Sequence, residues 1–252
     1  MTENTIPNEA LKEICTHTNK LFKGIRFCGE NDNTIFTSTD ADKIVFLEGQ
    51  LKTTIPEFAG EFGIGDIAMF NGLLRFPSYN TPEASITVTR DSRTYNGQKT
   101  PETVTEFKFR DKNGKGANFR TMSSTILEEA GLFVESQKIA WNVTFVPEKS
   151  KISEFTELAR LFSAETFNIQ VSNGEVEISF GDDSDSTHFA NMQFATDVKG
   201  TLRKSTFKTS VFLEIMKTVS GMPFELNIHS HVMGIFAETD IAKYRFQYRS
   251  NI

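Results

Sequence analysis

The chain has 252 residues, a net charge of −6 and no apolar run of about 18 residues, which leaves room for one large or two ordinary domains and excludes a membrane-spanning helix. Its opening, MTENTIPNEALKE, has neither the basic start nor the apolar core of a secretion signal. Two cysteines, Cys15 and Cys28, read as buried free thiols of a reducing compartment, so the expected location is the cytoplasm.

In chain order, Asn8 to Phe22 has Leu11, Ile14, Thr18, Leu21 and Phe22 at helical spacing. A hairpin follows, IRFCGEND and NTIFTSTD, breaking at Asn31 to Asn33. GDIAMFNGLLRF opens a second helix at Asp66, a good N-cap, and PEASITVT then alternates as a strand. Arg90 to Thr103 is polar and reads as a surface loop or long hairpin. Met122 to Ile139 mixes Ile126, Leu127, Leu132, Phe133 and Val134 with glutamates, which is too apolar for a solvated linker.

The same order of signals then returns. KISEFTELARLF places Ile152, Phe155, Leu158, Ala159 and Phe162 on one helical face. FNIQVSNG and EVEISFGDD flank Asn173-Gly174, a strong two-residue hairpin turn. TSVFLEIMKTVSG predicts a helix capped by Ser210 and stopped at Gly221, and PFELNIHS alternates as the next strand. An internal repeat of this kind predicts two similar α+β domains, 1–121 and 140–252, joined by a connector over 122–139. The 24 phenylalanines often alternate with polar residues, as half-buried strands do.

Charge is unevenly spread. From Lys199 to Lys217 the chain carries Lys199, Arg203, Lys204, Lys208 and Lys217 against one acid, Glu214. The other predicted helices add Lys12, Lys20, Arg75, Lys151 and Arg160, interleaved with acids. Each base alone reads as a solvated face. Brought to one surface, they form a positive field on an acidic body, which suits a nucleic-acid backbone.

Signals for catalysis are weak. His229-Ser230-His231 has the spacing of two metal ligands on a strand but no acidic or cysteine partner nearby, so no metal is expected. Asp182-Asp183-Ser184-Asp185 lacks the glycine and terminal glutamate of a calcium loop. Gly60, Gly63 and Gly65 are followed by no lysine, which argues against a phosphate cradle. No nucleophile elbow occurs, and no cofactor or catalytic residue is assigned.

The second half resembles the C-terminal domain of a DNA polymerase sliding clamp of the T-even phage type. The likeness runs through WNVTFVP, SKISEFTELARLF, FNIQVSNGEVEISFGDD, SVFLEIMKTVSG and PFELNIHSHVMGIFAETDIAKYRFQYRS. The ending is also similar to archaeal and eukaryotic clamps, through Lys243-Tyr244 before a short tail. In the first half NEALKEICTHTNKLF, EFGIGDIAMFNGLLRF and SITVT carry it, and the 90–103 loop is longer than the family norm. The resemblance implies two processivity-fold domains with antiparallel sheets outside and two short helices inside. It implies three chains closing head to tail around duplex DNA, with the ten bases named above facing it. It further implies a polymerase and a clamp loader as partners, docked by apolar peptides near Leu132, Phe133, Pro223 and Tyr248. The clamp itself is then no enzyme. A phage tail or baseplate subunit, which needs no basic stripe, and a hydrolase assembled from distant residues are the alternatives.

Overall fold

The computed structural model describes residues 7–30, 32–92, 94–95, 98–99, 101–131, 138–181 and 188–250. The chain divides into two compact units: Met1–Ser136 with Thr239–Tyr244, and Gln137–Glu238 with Arg245–Ile252. The fold is α+β with antiparallel sheets.

Unit 1 runs α1 (Asn8–Thr18), β1 (Ile25–Glu30), β2 (Asn33–Thr39), β3 (Val45–Leu51), a short 3-10 turn (Pro56–Phe58), β4 (Gly60–Ile64) and α2 (Ile67–Arg75). It continues through β5 (Ser85–Asp91), the small hairpin β6 (Thr94–Tyr95) and β7 (Gln98–Lys99), then β8 (Thr103–Arg110), β9 (Gly116–Arg120) and α3 (Ser124–Glu129). Unit 2 runs β10 (Val143–Phe145), α4 (Lys149–Leu161), β11 (Thr166–Ser172), β12 (Glu175–Phe180), β13 (Ala190–Ala195), β14 (Leu202–Lys208), α5 (Thr209–Thr218), β15 (Phe224–His229) and β16 (Val232–Glu238). The last strand, β17 (Ala242–Arg249), gives its first residues to unit 1 and the rest to unit 2.

The duplication is written in the topology. The sheet β3-β2-β1-β4 of unit 1 has the strand order of β13-β12-β11-β14 in unit 2. A second sheet in unit 1, β5-β8-β9, corresponds to β15-β16-β17. In each unit a helix precedes the hairpin and another follows the fourth strand.

Local chemistry explains the elements. On α1, Leu11, Ile14, Cys15 and Thr18 are buried, one face at helical spacing. The helix ends at Thr18, four residues short of Phe22, whose N–H still reaches Thr18 O at 3.0 Å in a closing turn. Asp66 caps α2 as expected, its Oδ1 accepting from Met69 N at 2.8 Å. Asn173 and Gly174 both have positive φ, 52° and 81°, the backbone that a tight twisted hairpin requires. Ser210 is not the cap of α5: Lys208 holds the N-cap position and no side chain caps that end. Gly221, with φ 90°, follows the helix stop.

Aromatic clusters hold each unit. In unit 1, Phe70 of α2 meets Phe107, Phe109 and Phe119 of the β5-β8-β9 sheet at 4.9, 5.7 and 5.0 Å, and Phe27 stacks on Phe62 at 5.1 Å. In unit 2, Phe155 of α4 contacts Phe167, Phe180, Phe194 and Phe212 at 4.9 to 6.2 Å. Rings at these separations, mostly edge to face or tilted, satisfy the quadrupole as well as burying area. Of the face expected on α4, only Phe155 and Ala159 are fully buried; Ile152, Leu158 and Phe162 are half-buried.

The connector is partly structural. Ser123 caps α3, and Leu127 is fully buried over Gly63, where a Cβ would fall 2.2 Å from Leu127 Cδ2. Gly63 and Met122 exchange two backbone hydrogen bonds, and Met122 crowds Gly65 as well. Gly63 and Gly65 are therefore clearance for the connector, and β4 is an antiparallel strand, which suits no phosphate loop. Leu132, Phe133 and the 182–185 acidic turn lie outside the described residues.

Candidate nucleic-acid interface

In unit 1 the predicted bases gather where α1 meets the end of α2. Lys12 and Thr16 lie one turn apart on α1. Arg75, in the last turn of α2, donates from Nη2 to Thr16 Oγ1 at 2.8 Å and from Nε to Asn71 Oδ1 at 3.1 Å. Lys12 Nζ donates to Asn80 Oδ1. These partners are neutral, so both charges persist while their heads are held. Lys20 is exposed in the turn after α1 and has no polar partner among the described residues.

In unit 2, α4 and α5 run antiparallel: the first residue of α5, Thr209, donates its N–H to Glu165 O at 2.9 Å, just past the end of α4. Phe155 and Phe212 join the helices at their base, 4.9 Å apart. Above them an open groove of about 650 Å³ separates the helices, with Arg160 and Lys217 on its walls. Lys217 has an exposed i,i+3 pair with Glu214 at 3.3 Å, and Lys151 one with Glu154 at 2.8 Å. Such pairs contribute little and open easily to a stronger anion. Arg160 is exposed and has no polar partner among the described residues.

The stripe from Lys199 to Lys217 is not one helical surface. Lys199 sits in the turn before β14. Arg203 and Lys204 occupy a bulge where the register shifts between Ile169 and Val171, so both oppose Gln170. Gln170 alternates with Phe167, Ile169 and Val171, which face the helices, so the bulge opens on the polar face of that sheet. Lys208 closes β14, and only Lys217 lies on α5. Strand alternation, invisible to a charge count, thus separates Arg203 and Lys204 from Arg160 and Lys217.

The peptide-pocket residues also part company. Pro223 is exposed. Tyr248 is fully buried: its ring lies 5.3 Å from Phe207 and its hydroxyl donates to Lys208 O at 2.6 Å. It belongs to the core of unit 2 and offers no surface to a peptide. Its neighbour on the same strand, Tyr244, is packed in unit 1, 5.7 Å from Phe36, with its hydroxyl 3.0 Å from Glu13 Oε1. Burial and then the Glu13 carboxylate push the Tyr244 phenol up. Sequence reasoning missed Glu13 as the acceptor for both Tyr244 and Thr239, because the two ends of the chain meet there.

The remaining chemistry is sparse. His231 lies in the turn between β15 and β16 rather than on a strand, its ring 6.3 Å from that of His229. No cluster of three metal-ligating side chains occurs among the described residues. Burial pushes the Cys15 thiol up to about 12, against the pull of Arg75. Cys28 is half-buried rather than buried, and burial followed by Glu30 raises it. Neither thiol has the low pKa of a nucleophile. Among the described residues, no helix is long and apolar enough to cross a membrane.

Neither a family model nor a curated protein sequence matches this chain. Solved structures do. The PCNA of Thermococcus kodakaraensis superposes with a TM-score of 0.67 at 9% identity, over 98% of this chain and 98% of that one. The A. fulgidus PCNA, solved bound to the C-terminal region of FEN-1, gives 0.68 at 10% identity, over 100% of this chain and 99% of that one. The likeness covers every element of both units with almost no shared residues, and on that ground this chain has the fold of the PCNA sliding clamps.

Proposed function

We infer that this chain is a sliding clamp that encircles duplex DNA and tethers a replicative polymerase, as a ring of three copies. The observation that carries the reading is the duplicated unit in which two helices present bases beside a sheet, extended over the full length of a PCNA-like fold. Bases without a base-reading element grip phosphates regardless of sequence, which is what sliding needs. Lys12, Lys20, Arg75, Lys151, Arg160 and Lys217 are the helix-side contacts. Lys208 pairs with Thr166 next to core-facing Phe207, so it shares the polar sheet face with Arg203 and Lys204, and with Lys199 these add to the long-range field.

Assembly into a ring is supported by two unlike free edges. Among the described residues β9 pairs only with β8, and β13 only with β12. A strand edge in unit 1 that meets a different edge in unit 2 of the next copy is a head-to-tail contact, which closes when the rotation allows. The polymerase and an ATP-driven loader complete the reading, with the T-even-like stretches of the second half favouring a viral replisome.

The test is topological. The protein is first threaded onto open linear duplex, and both ends are then closed with bulky blocks in one sample and left open in the other. Retention on blocked DNA and rapid loss from open DNA, together with a solution mass near that of three chains, is expected. Equal loss from both substrates sinks the encirclement reading. Glutamate at Arg160 and Lys217 together should reduce retention at least tenfold at physiological salt.

A further inference from the structure

The strands β4 and β14 hold the same place in the two units, each at a sheet edge beside β1 or β11, yet their outer faces differ. In unit 1 the chain covers that face itself. Met122 exchanges two backbone hydrogen bonds with Gly63, and α3 seats Leu127 on Gly63, on the side of the sheet away from core-facing Phe62. This short helix, STILEE, ends in Glu128 and Glu129, both exposed. The base on the covered face, Arg26, is paired with Glu61 at 2.6 Å. In unit 2, among the described residues, β14 pairs only with β11, and its outer face carries bases instead. Arg203 and Lys204 are exposed in the bulge, Lys208 is half-buried on the same face, and none of the three has an ion-pair partner among the described residues. Across the sheet Gln170 separates these bases from Glu177, to whose Oε2 it donates from Nε2 at 2.9 Å. That partner is neutral, so Glu177 keeps its charge, two strand spacings or about 10 Å from β14.

We propose that the outer face of β14 is a docking surface for an acidic, extended peptide segment of a protein partner, whose carboxylates pair with Arg203, Lys204 and Lys208. The first unit covers the equivalent face with a piece of chain bearing two glutamates, so the fold has room for a segment there. The patch is narrow. Glu175 and Glu177 on β12 repel the phosphates of a duplex broad enough to overhang them, whereas an extended chain lying along β14 clears both. The bulge at Arg203 and Lys204 spoils this edge for strand addition, so side-chain charge rather than backbone pairing makes the contact. An extended peptide with an acid at every second residue sets its carboxylates about 7 Å apart on one side, in step with bases on one face of a strand. This surface lies across the sheet from Phe167, Ile169 and the helices, so the inference does not need the clamp reading.

The full-length protein provides the test. It is titrated into a fluorescein-labelled peptide of alternating aspartate and serine, and into the same peptide with asparagine for aspartate, at low and at physiological salt. Saturable binding of the acidic peptide is expected, at least about tenfold tighter than of the neutral one and weakening as salt rises. Arg203→Glu with Lys204→Glu should weaken it at least about tenfold, and Arg160→Gln by less than about twofold. Both bulge residues are exposed, so the melting temperature should stay within about 2 °C, and weaker binding cannot be ascribed to unfolding. Equal affinity for the two peptides, or unchanged affinity in the Arg203 and Lys204 variant, overturns the site. A short duplex that displaces the peptide equally from the native chain and from Arg160→Glu with Lys217→Glu assigns the face to nucleic acid and overturns the peptide reading. Peptide binding that persists in a chain never retained on blocked DNA removes the clamp reading and keeps this surface.

Discussion

The two helix pairs of this molecule follow one plan and close differently. In unit 1 the helices α1 and α2 are stitched together on their outer side by Arg75 to Thr16, with Lys12 fastened to Asn80 close by. In unit 2 the helices α4 and α5 meet at their base through Phe155 and Phe212, and leave a groove of about 650 Å³ with exposed bases on its walls. The same strand order beneath both pairs shows that the sheet does not dictate the seam. Side chains do: unit 2 places Ala159, Ser163, Ala164 and Ser210 along the groove, too small to fill it.

The comparison can be broken at its foundations first. Phe155→Ala should cost unit 2 about 3–5 kcal/mol, and Phe70→Ala a similar amount in unit 1. Denaturant titrations of the two variants should move different transitions. A single shared shift would mean that the units do not unfold separately.

Alkali should separate the units next. The Cys15 thiol, raised from 9.0 to about 12, contributes stability that is complete below pH 9 and is lost as pH rises toward 12. Tyr244 in unit 1 and Tyr248 in unit 2 are both raised from an ordinary value of 10.0, chiefly by burial, so their contributions fade only above pH 10. Unit 1 should therefore begin to weaken first. Cys15→Ala should blunt the onset in unit 1 at about pH 9 and leave the smaller part contributed by half-buried Cys28, whose thiol is also raised, read by circular dichroism against pH. An unchanged onset would show that the thiol does not control it.

The paired tyrosines of β17 sharpen the contrast further. Tyr244→Phe removes a hydrogen bond to a carboxylate, worth about 1.5–3 kcal/mol, whereas Tyr248→Phe removes one to a neutral carbonyl, worth about 1 kcal/mol. Thermal melts should rank them in that order. The smallest effect concerns the seams themselves. Arg75→Ala should cost about 0.5–1 kcal/mol by releasing Thr16, while Arg160→Ala should stay within about 0.5 kcal/mol. A larger loss for Arg160→Ala would mean that the open groove hides a contact.

Much of the fold was legible because it is periodic. The buried positions of α1, the Asp66 cap, the Asn173-Gly174 turn and the repeat itself depend on residues close in sequence. Of the surface loop or long hairpin expected over 90–103, the second appears, as β6 and β7 paired through Thr94 with Lys99 and Tyr95 with Gln98. Caps were less legible where nothing local decides: Ser210 reads as an N-cap, but β14 runs directly into α5 and moves the start back to Thr209. The candidate interface was legible as composition and not as geometry. A bulge at Arg203 and Lys204 and the burial of Tyr248 depend on pairing with β11 and packing on Phe207, partners roughly 30 to 40 residues away.

Sequence by itself determined the two-fold repeat, the helix faces and the surplus of bases on an acidic body, since these follow from spacing and charge along a few turns of chain. Tertiary structure alone decided which bases share a surface, that the ends of the chain meet at Glu13, and that α4 and α5 stand apart over an unpaired Thr209 hydroxyl. Those outcomes are set by packing between segments distant in sequence, where the volume of a side chain and the face of a strand count for more than local propensity.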